Sequence, residues 1–302
     1  MAISRSQLVK ELEPGLNALF GLEYKRYENQ HAEIYTAENS DRAFEEEVML
    51  SGFGNAAVKA EGQGVSFDDA QETFTARYSH ETVALAFAIT EEAIEDNLYD
   101  RLASRYTKAL ARSMSNAKQV KAVEPLINGL PSGSFQSGDG VSLFNTTHPT
   151  INGSFKNTLS TAADLNETSL EQSLIDIAQM TDERGLKVAA RGVKMIIPSE
   201  LQFTAERLMK SQGRTGTADN DINAIVSMGM IPQGYRVNNY LTDTDAFYII
   251  TDVPNGMKMF TRAPLTTAME GDFDTGNVRY KARERYSFGV SDPRGIFASP
   301  GA

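Results

Sequence analysis

Between Thr90 and Pro125 the chain contains neither glycine nor proline, and this run restricts the fold more than any other feature. Thr90 is placed to cap a helix, with Glu91 and Glu92 in its first turn. Ile94, Leu98, Leu102, Tyr106, Ala109, Leu110, Ala117 and Val120 recur at helical spacing. Glu91, Glu92, Glu95, Asp96 and Asp100 crowd the first half; Arg101, Arg105, Lys108, Arg112, Lys118 and Lys121 crowd the second. Both halves suit the helix dipole. The spacing predicts one helix over Glu91–Val123, about 33 residues and ~50 Å long. An ordinary helix has about 11–12 residues. The charges read as a solvated face, with pairing between subunits as the sharper alternative.

The segment before the helix has a different period. From Glu72, Phe74, Ala76 and Tyr78 alternate with Thr73, Thr75 and Arg77. After a break near His80–Thr82, Val83, Leu85, Phe87 and Ile89 take the odd positions. Period two means strand with one buried face, and the parity change implies a bulge or a passage between layers. Upstream lies "SGFGNAAVKAEGQGV", in which Gly52-Phe53-Gly54-Asn55-Ala56-Ala57 fits the spacing of a dinucleotide-binding turn. Its flanks disagree. "DRAFEEEVML" is a poor buried strand, Gly62 and Gly64 would break a following helix, and no βαβ unit follows. The stretch reads instead as a polar, glycine-rich excursion between two extended arms.

Downstream, "PSGSFQSGDG" marks a boundary. Asn166–Arg184 reads as an amphipathic helix with Leu170, Leu174, Ile177 and Met180 inward and Gly185 as its stop. "VKMIIP" reads as a buried strand, and Ser199-Glu200-Leu201-Gln202 as a capping box opening a helix. A short helix at "DINAIVSMG" and strands at "YRVNNY" and "AFYIITD" complete a mixed region over about 131–257. The tail is strand-rich, with Val278, Tyr280, Ala282, Tyr286, Phe288 and Val290 on even positions. The class is α+β.

Composition removes several chemistries. The chain has no cysteine, so a disulfide, a thiolate nucleophile and a cysteine zinc site are excluded. No signal peptide is evident at the start, and no run of about 18 apolar residues occurs. The formal net charge of −11 argues against tight non-specific nucleic-acid binding, though not against passive contact with packaged nucleic acid. His31, His80 and His148 are the only histidines, and none has a nucleophile at recognisable spacing. Asp219-Asn220-Asp221-Ile222-Asn223 starts like a calcium loop, but Ala224 and Met230 stand where Gly and Glu are needed. The pairs Asp243/Asp245 and Asp272/Asp274 lie in apparent turns, where Asp is expected without a metal. No catalytic residue, metal or cofactor is expected.

A ~50 Å helix and a two-armed loop bury little against their own domain, and such elements find partners on neighbouring subunits. The ordered series "LNALFGLEY", "SGFGNAAVKAEG", "YSHETVALAFAITEEAIEDNLYDRL", "NTTHPTINGS", "IIPSELQFTAERLMKS" and "RYKARERYSFGVSDPRGIFAS" resembles the tailed-phage major capsid protein with the Hong Kong 97-type fold, and is similar to its Mu-type head-subunit branch. The resemblance implies an N-terminal arm (1–42), an extended loop (43–82), a peripheral domain with the long spine helix (83–130 and 258–302) and an axial domain (131–257). It implies self-assembly of hexamers and pentamers into an icosahedral virion head enclosing double-stranded DNA, assembled in the host bacterial cytoplasm. Portal, scaffold and decoration proteins are the expected partners. Because the chain begins almost at the arm, the scaffold is expected to be a separate protein. Inter-subunit contacts are expected from the loop residues Gly52, Phe53, Gly54, Lys59, Glu61, Gly62, Gly64, Asp68 and Asp69. No covalent crosslink is assigned to Lys59. The alternatives are an encapsulin-like compartment shell, a metal-dependent hydrolase using the Asp pairs, and a surface adhesin, the last disfavoured by the missing export signal.

Overall fold

The computed structural model describes residues 5–90, 92, 99–131, 133–213, 222–272 and 276–302. In chain order the first half holds α1 (Arg5–Arg26), a 3-10 turn (Gln30–Glu33), β1 (Thr36–Asn39), β2 (Phe44–Leu50), β3 (Glu72–Ser79), β4 (Glu81–Ile89), α2 (Tyr99–Ile127), β5 (His148–Thr150) and β6 (Gly153–Phe155). The second half holds α3 (Glu167–Ala178), β7 (Gly192–Ile197), α4 (Gln202–Lys210), α5 (Ala224–Met228), β8 (Tyr235–Val237), β9 (Phe247–Thr251), β10 (Met257–Gly271), β11 (Val278–Val290) and β12 (Ile296–Ser299).

One body is a sheet in the order β1-β10-β11-β4 with α1 and α2 on one face. β10 and β11 form a long antiparallel hairpin, β4 runs antiparallel to β11, and β1 adds parallel to β10. The even positions of β11 turn inward, as the alternation predicts: Tyr280, Ala282, Glu284 and Tyr286 are buried. Leu16 and Phe20 of α1 pack there with Ala103, Leu110, Ala111 and Met114 of α2. So the segment expected as an arm contains a helix lying along α2.

The buried stripe of α2 differs from the expected one. Ala103, Thr107, Leu110, Ala111, Met114, Ser115, Gln119, Ala122, Val123 and Leu126 are buried, whereas Tyr106, Ala109 and Val120 are exposed. Ala117 is half-buried. Close packing against α1 selects Ala103 and Ala111, and Thr107, Ser115 and Gln119 are buried although polar. The helix also passes through Pro125 to Ile127, because a proline in the last turn forfeits only one hydrogen bond. Of the expected N-terminal part, Glu91 and residues 93–98 lie outside the described residues.

The parity break at His80 is a change of sheet. β3 pairs with β2 in a two-stranded ribbon, and β4 pairs with β11. His80 is buried at the corner, its Nε2 2.9 Å from Ser40 Oγ and its Nδ1 3.0 Å from Ser287 Oγ.

The second body is a sheet in the order β12-β9-β7-β8, covered by α3, α4 and α5. Leu170, Leu174, Ile177 and Met180 are all buried, and Asn166 caps α3 by accepting from Ser169 N–H at 2.9 Å. The capping box at Ser199 does not form. Ser199–Leu201 is a 3-10 turn, and the Ser199 hydroxyl bonds Glu200 Oε2 at 2.9 Å instead. The last strand, β12, crosses from the first body to pair with β9. A single apolar cluster joins the bodies, with Tyr35, Leu126 and Tyr286 from one side and Phe144, Ile196, Tyr248 and Ile296 from the other.

At this junction His31 sits edge-on to Phe288, with ring centroids 5.9 Å apart. Burial first, and then nearby Lys118, push its imidazole from 6.5 down to about 4. The unfolded chain therefore takes up a proton below 6.5 that the folded chain refuses until about 4. Stability from this group is present above 6.5 and is lost as pH falls through that window, on the order of 3 kcal/mol in full. Urea melts at pH 7 and pH 4 check this. The His31→Gln variant is expected to lose less stability on acidification than the wild type, and equal losses would remove His31 from the acid response.

Candidate assembly interface

The ribbon of β2 and β3 carries residues 51–71 at its end as extended chain with one turn near Glu61–Gly62. No helix follows Gly54, so the turn lacks the helix N-terminus that a dinucleotide phosphate needs. The glycines have a local purpose. Gly52 adopts φ 62°, and Gly54 donates its N–H to Asp68 Oδ2 at 2.7 Å. The base of the loop is closed by Ser51 and Gln71, with Ser51 N–H donating to the Gln71 carbonyl at 2.8 Å.

The expected contact residues divide into two sets. Asp68 and Asp69 are held within the subunit: Arg184 Nη2 lies 2.9 Å from Asp68 Oδ1 and donates to the Asp69 carbonyl at 2.6 Å. The Gly54 N–H, and then Arg184, hold the Asp68 carboxyl below its usual range. Phe53, Lys59, Glu61, Gly62 and Gly64 are exposed, and Gly54 is half-buried. The loop is also more apolar than its glycines suggest. Val58 is 100% and Phe67 97% exposed, and Phe53 and Val65 are mostly exposed. These apolar side chains find no cover on their own subunit among the described residues. Arg184 was invisible in the sequence, because more than 100 residues separate it from Asp68.

Behind the ribbon sits a buried polar cluster that the sequence also did not reveal. Arg294 bonds Glu183, lies 3.3 Å from Asp292 Oδ2, donates from Nε to the Thr181 carbonyl at 3.0 Å, and stacks 4.5 Å over the Phe155 ring. Burial raises the Glu183 and Asp292 carboxyls above the usual range, and Arg294 opposes that rise. Arg294 also touches Met49 Sδ at 3.6 Å, so the cluster ties the ribbon to both bodies.

His148 lies in β5 and is fully buried. Its Nδ1 is 2.6 Å from Asp139 Oδ2 and its Nε2 2.9 Å from Asn157 Oδ1. Asn157 Nδ2 donates to the carbonyls of Leu143 at 2.7 Å and Pro293 at 3.0 Å. Sealed from solvent and bonded on both nitrogens, His148 is a clamp on irregular chain. Asp243 caps a turn, accepting from the N–H groups of Asp245 and Ala246 at 3.4 Å. Asp272 pairs with Arg279. Asp219, Asn220, Asp221 and Asp274 lie outside the described residues. Among the described residues no group of three or more His, Asp or Glu is placed to hold a metal, and no helix is long and apolar enough to cross a membrane.

The sequence model of the family described as phage capsid protein matches residues 72–299, which takes in everything from β3 to β12. The chain belongs to the phage capsid protein family. Solved structures agree at the level of fold. The virus-like particle from Pyrococcus furiosus is similar with a TM-score of 0.53 and 11% identity over 94% of this chain and 97% of that one. The capsid of Myoviridae phage XM1 matches with a TM-score of 0.53 and 11% identity over 89% and 90%. The capsid of an empty GTA particle matches with 0.53 and 14% over 90% and 90%. No curated protein sequence matches the chain. The fold is phage-capsid-like and related to Hong Kong 97-type capsids in the broad sense, and the family is one of capsid structural proteins.

Proposed function

We propose that this chain is the major head subunit of a tailed phage, assembling through hexamers and pentamers into an icosahedral shell around double-stranded DNA. The observation that carries this reading is the projecting loop at 51–71, whose apolar side chains have no cover on their own subunit. Family membership supports it, as do the capsids and the virus-like particle among its structural relatives.

In this reading Phe53, Lys59, Glu61, Gly62 and Gly64 meet an adjacent subunit. Gly52, Gly54, Asp68 and Asp69 shape the base from which they project, and contribute to the same contact. The sheet of β10, β11 and β4 with α2 is the peripheral domain (83–130 and 258–302), residues 131–257 are the axial domain, and 1–42 is the arm, which adds β1 to the edge of the peripheral sheet. β12 then serves as the strand by which the peripheral segment grips the axial sheet. A Mu-type head is the branch the sequence resembles. Portal, scaffold and decoration proteins are its partners, and assembly takes place in the bacterial cytoplasm. The likeness to a virus-like particle favours one second reading, a shell around cargo other than a genome.

Negative-stain microscopy of the purified chain, expressed alone and with its neighbouring genes, tests the proposal. Closed shells, or rings of five and six, are expected. Uniform monomer in both preparations would overturn it. Extraction of nucleic acid from purified shells separates the two cargo readings.

A further inference from the structure

α2 carries an unusual charge pattern for so acidic a chain. No Asp or Glu occurs between Asp100 and Glu124, although the whole sequence has net charge −11. Lys118 and Lys121 in this window are neutralised by Glu284 and Glu81 of the sheet. Arg105, Lys108 and Arg112 are exposed and make no ion pair among the described residues. Their spacing puts them in one stripe on the helix face turned away from the sheet. The stripe is ~10 Å long, and one DNA strand presents a phosphate about every 3.4 Å along the axis, so three cations face about three phosphates.

Beside the stripe a groove runs between α2 and the C-terminal end of α1. It is lined by Lys108, Arg112, Ser113, Asn116, Tyr27 and Glu23. Basic side chains next to Ser and Asn are a donor set that contacts phosphate oxygens, and the Tyr27 hydroxyl donates to Glu23 Oε1 at 3.3 Å. Glu23, the one acid there, is paired with Arg26 at 3.5 Å.

The opposite face of the same body is also basic but is built differently. Arg279, Lys281 and Arg283 alternate along β11, flanked by the alanines at 84, 86 and 88 and by Thr266, Ala268 and the acid Glu270. Arg279 is already taken by Asp272. The flanking floor is mainly methyl groups, with Thr266 as its one hydroxyl, and that hydroxyl donates to the Arg283 carbonyl. It gives an internal control of equal charge type.

We propose that the α1–α2 groove with Arg105, Lys108 and Arg112 is a phosphodiester-binding surface that holds the backbone of double-stranded DNA without reading its sequence. It rests on the genome-enclosing reading above and adds the surface that reading lacks. One subunit binds weakly because the net charge of −11 repels DNA, and a shell repeats the contact many times.

The test is fluorescence anisotropy of the full chain with a labelled random duplex of about 30 base pairs, at roughly 25 to 200 mM NaCl. The wild type is expected to show a slope of log affinity on log salt of about −2.7. R105Q/K108Q/R112Q is expected to flatten that slope towards zero and to weaken binding at least ~10-fold at the low-salt end. K281Q/R283Q is expected to leave most of the slope in place. Undiminished binding by the triple variant, or an equal loss in K281Q/R283Q, would overturn the assignment. So would displacement of the duplex by polyglutamate at matched charge, which would mark the groove as a site for an acidic protein. Thermal melts and negative-stain images of both variants keep the readings apart. Closed shells that no longer bind duplex support the groove, closed shells with unchanged binding sink it alone, and wild-type monomers sink the shell reading.

Discussion

Deletion of Phe53–Gly64 yields a subunit that folds normally and fails to close stable shells. The deleted stretch contributes almost nothing to its own subunit: Phe53 and Val58 are exposed, and among the described residues the hydrogen bond from Gly54 N–H to Asp68 is the only side-chain bond from it to the remaining chain. The Ser51–Gln71 closure and the ribbon register survive the cut. Unfolding curves are therefore expected to overlay those of the wild type. Particle counts by negative stain are expected to fall to background, because each missing contact recurs at every subunit of a shell. Individual polar pairs at such a rim are worth about 0–1 kcal/mol, so the apolar residues carry the larger share. Closed particles of ordinary stability from the deletion would end the assignment of this loop.

The second large effect is on the subunit itself. Arg294→Ala is expected to cost about 3–5 kcal/mol at neutral pH, because it strands two buried carboxylates, Glu183 and Asp292. The loss has a pH signature. Both carboxyls already sit above their ordinary values through burial, and Arg294 is what restrains the rise. Without it they rise further, so the folded variant binds protons that the unfolded chain releases. Stability then falls as pH rises through the window between the unfolded and folded values, and is recovered on acidification. Urea titrations at pH 7 and near pH 4.5 are expected to show a smaller gap between variant and wild type at the lower pH. A gap that does not depend on pH would mean that lost packing on Phe155, not stranded charge, is the cost.

Period and punctuation made part of this fold legible. The alternation from Phe74 to Ile89 showed both strands and, through its parity break, the corner at His80 where the chain changes sheet. The Leu170–Leu174–Ile177 stripe located α3, but the helix ends at Ala178 and not at Arg184, because the chain turns into the Thr181–Lys187 bridge. The α2 face was misread because hydrophobicity marks large side chains, and this helix is buried through Ala103, Ala111 and Ala122 together with Thr107, Ser115 and Gln119. Ser199 shows a different limit: its motif was present, but the backbone chose a 3-10 turn. Of the projecting loop, the extended arms and glycines could be read locally. The grip of Arg184 on Asp68 and the Arg294 cluster could not, since these partners meet only through the tertiary fold.

The apolar cluster shared by the two sheets has a mechanical consequence. Because Tyr248 and Phe144 interlock with Tyr286 and Leu126, and β12 is stitched into the far sheet, the two bodies behave as one stiff plate. A plate cannot bend to follow a curved surface. Curvature must be taken up at joints on its rim, and the ribbon of β2 and β3 is such a joint. It leaves the plate at the His80 corner and is fastened by Tyr78 on Phe260, by Glu47 on Lys258 and Ser291, and by Met49 on Arg294. In the shell proposed above, the tilt from one tile to the next is then set at that ribbon, with the tiles themselves unchanged.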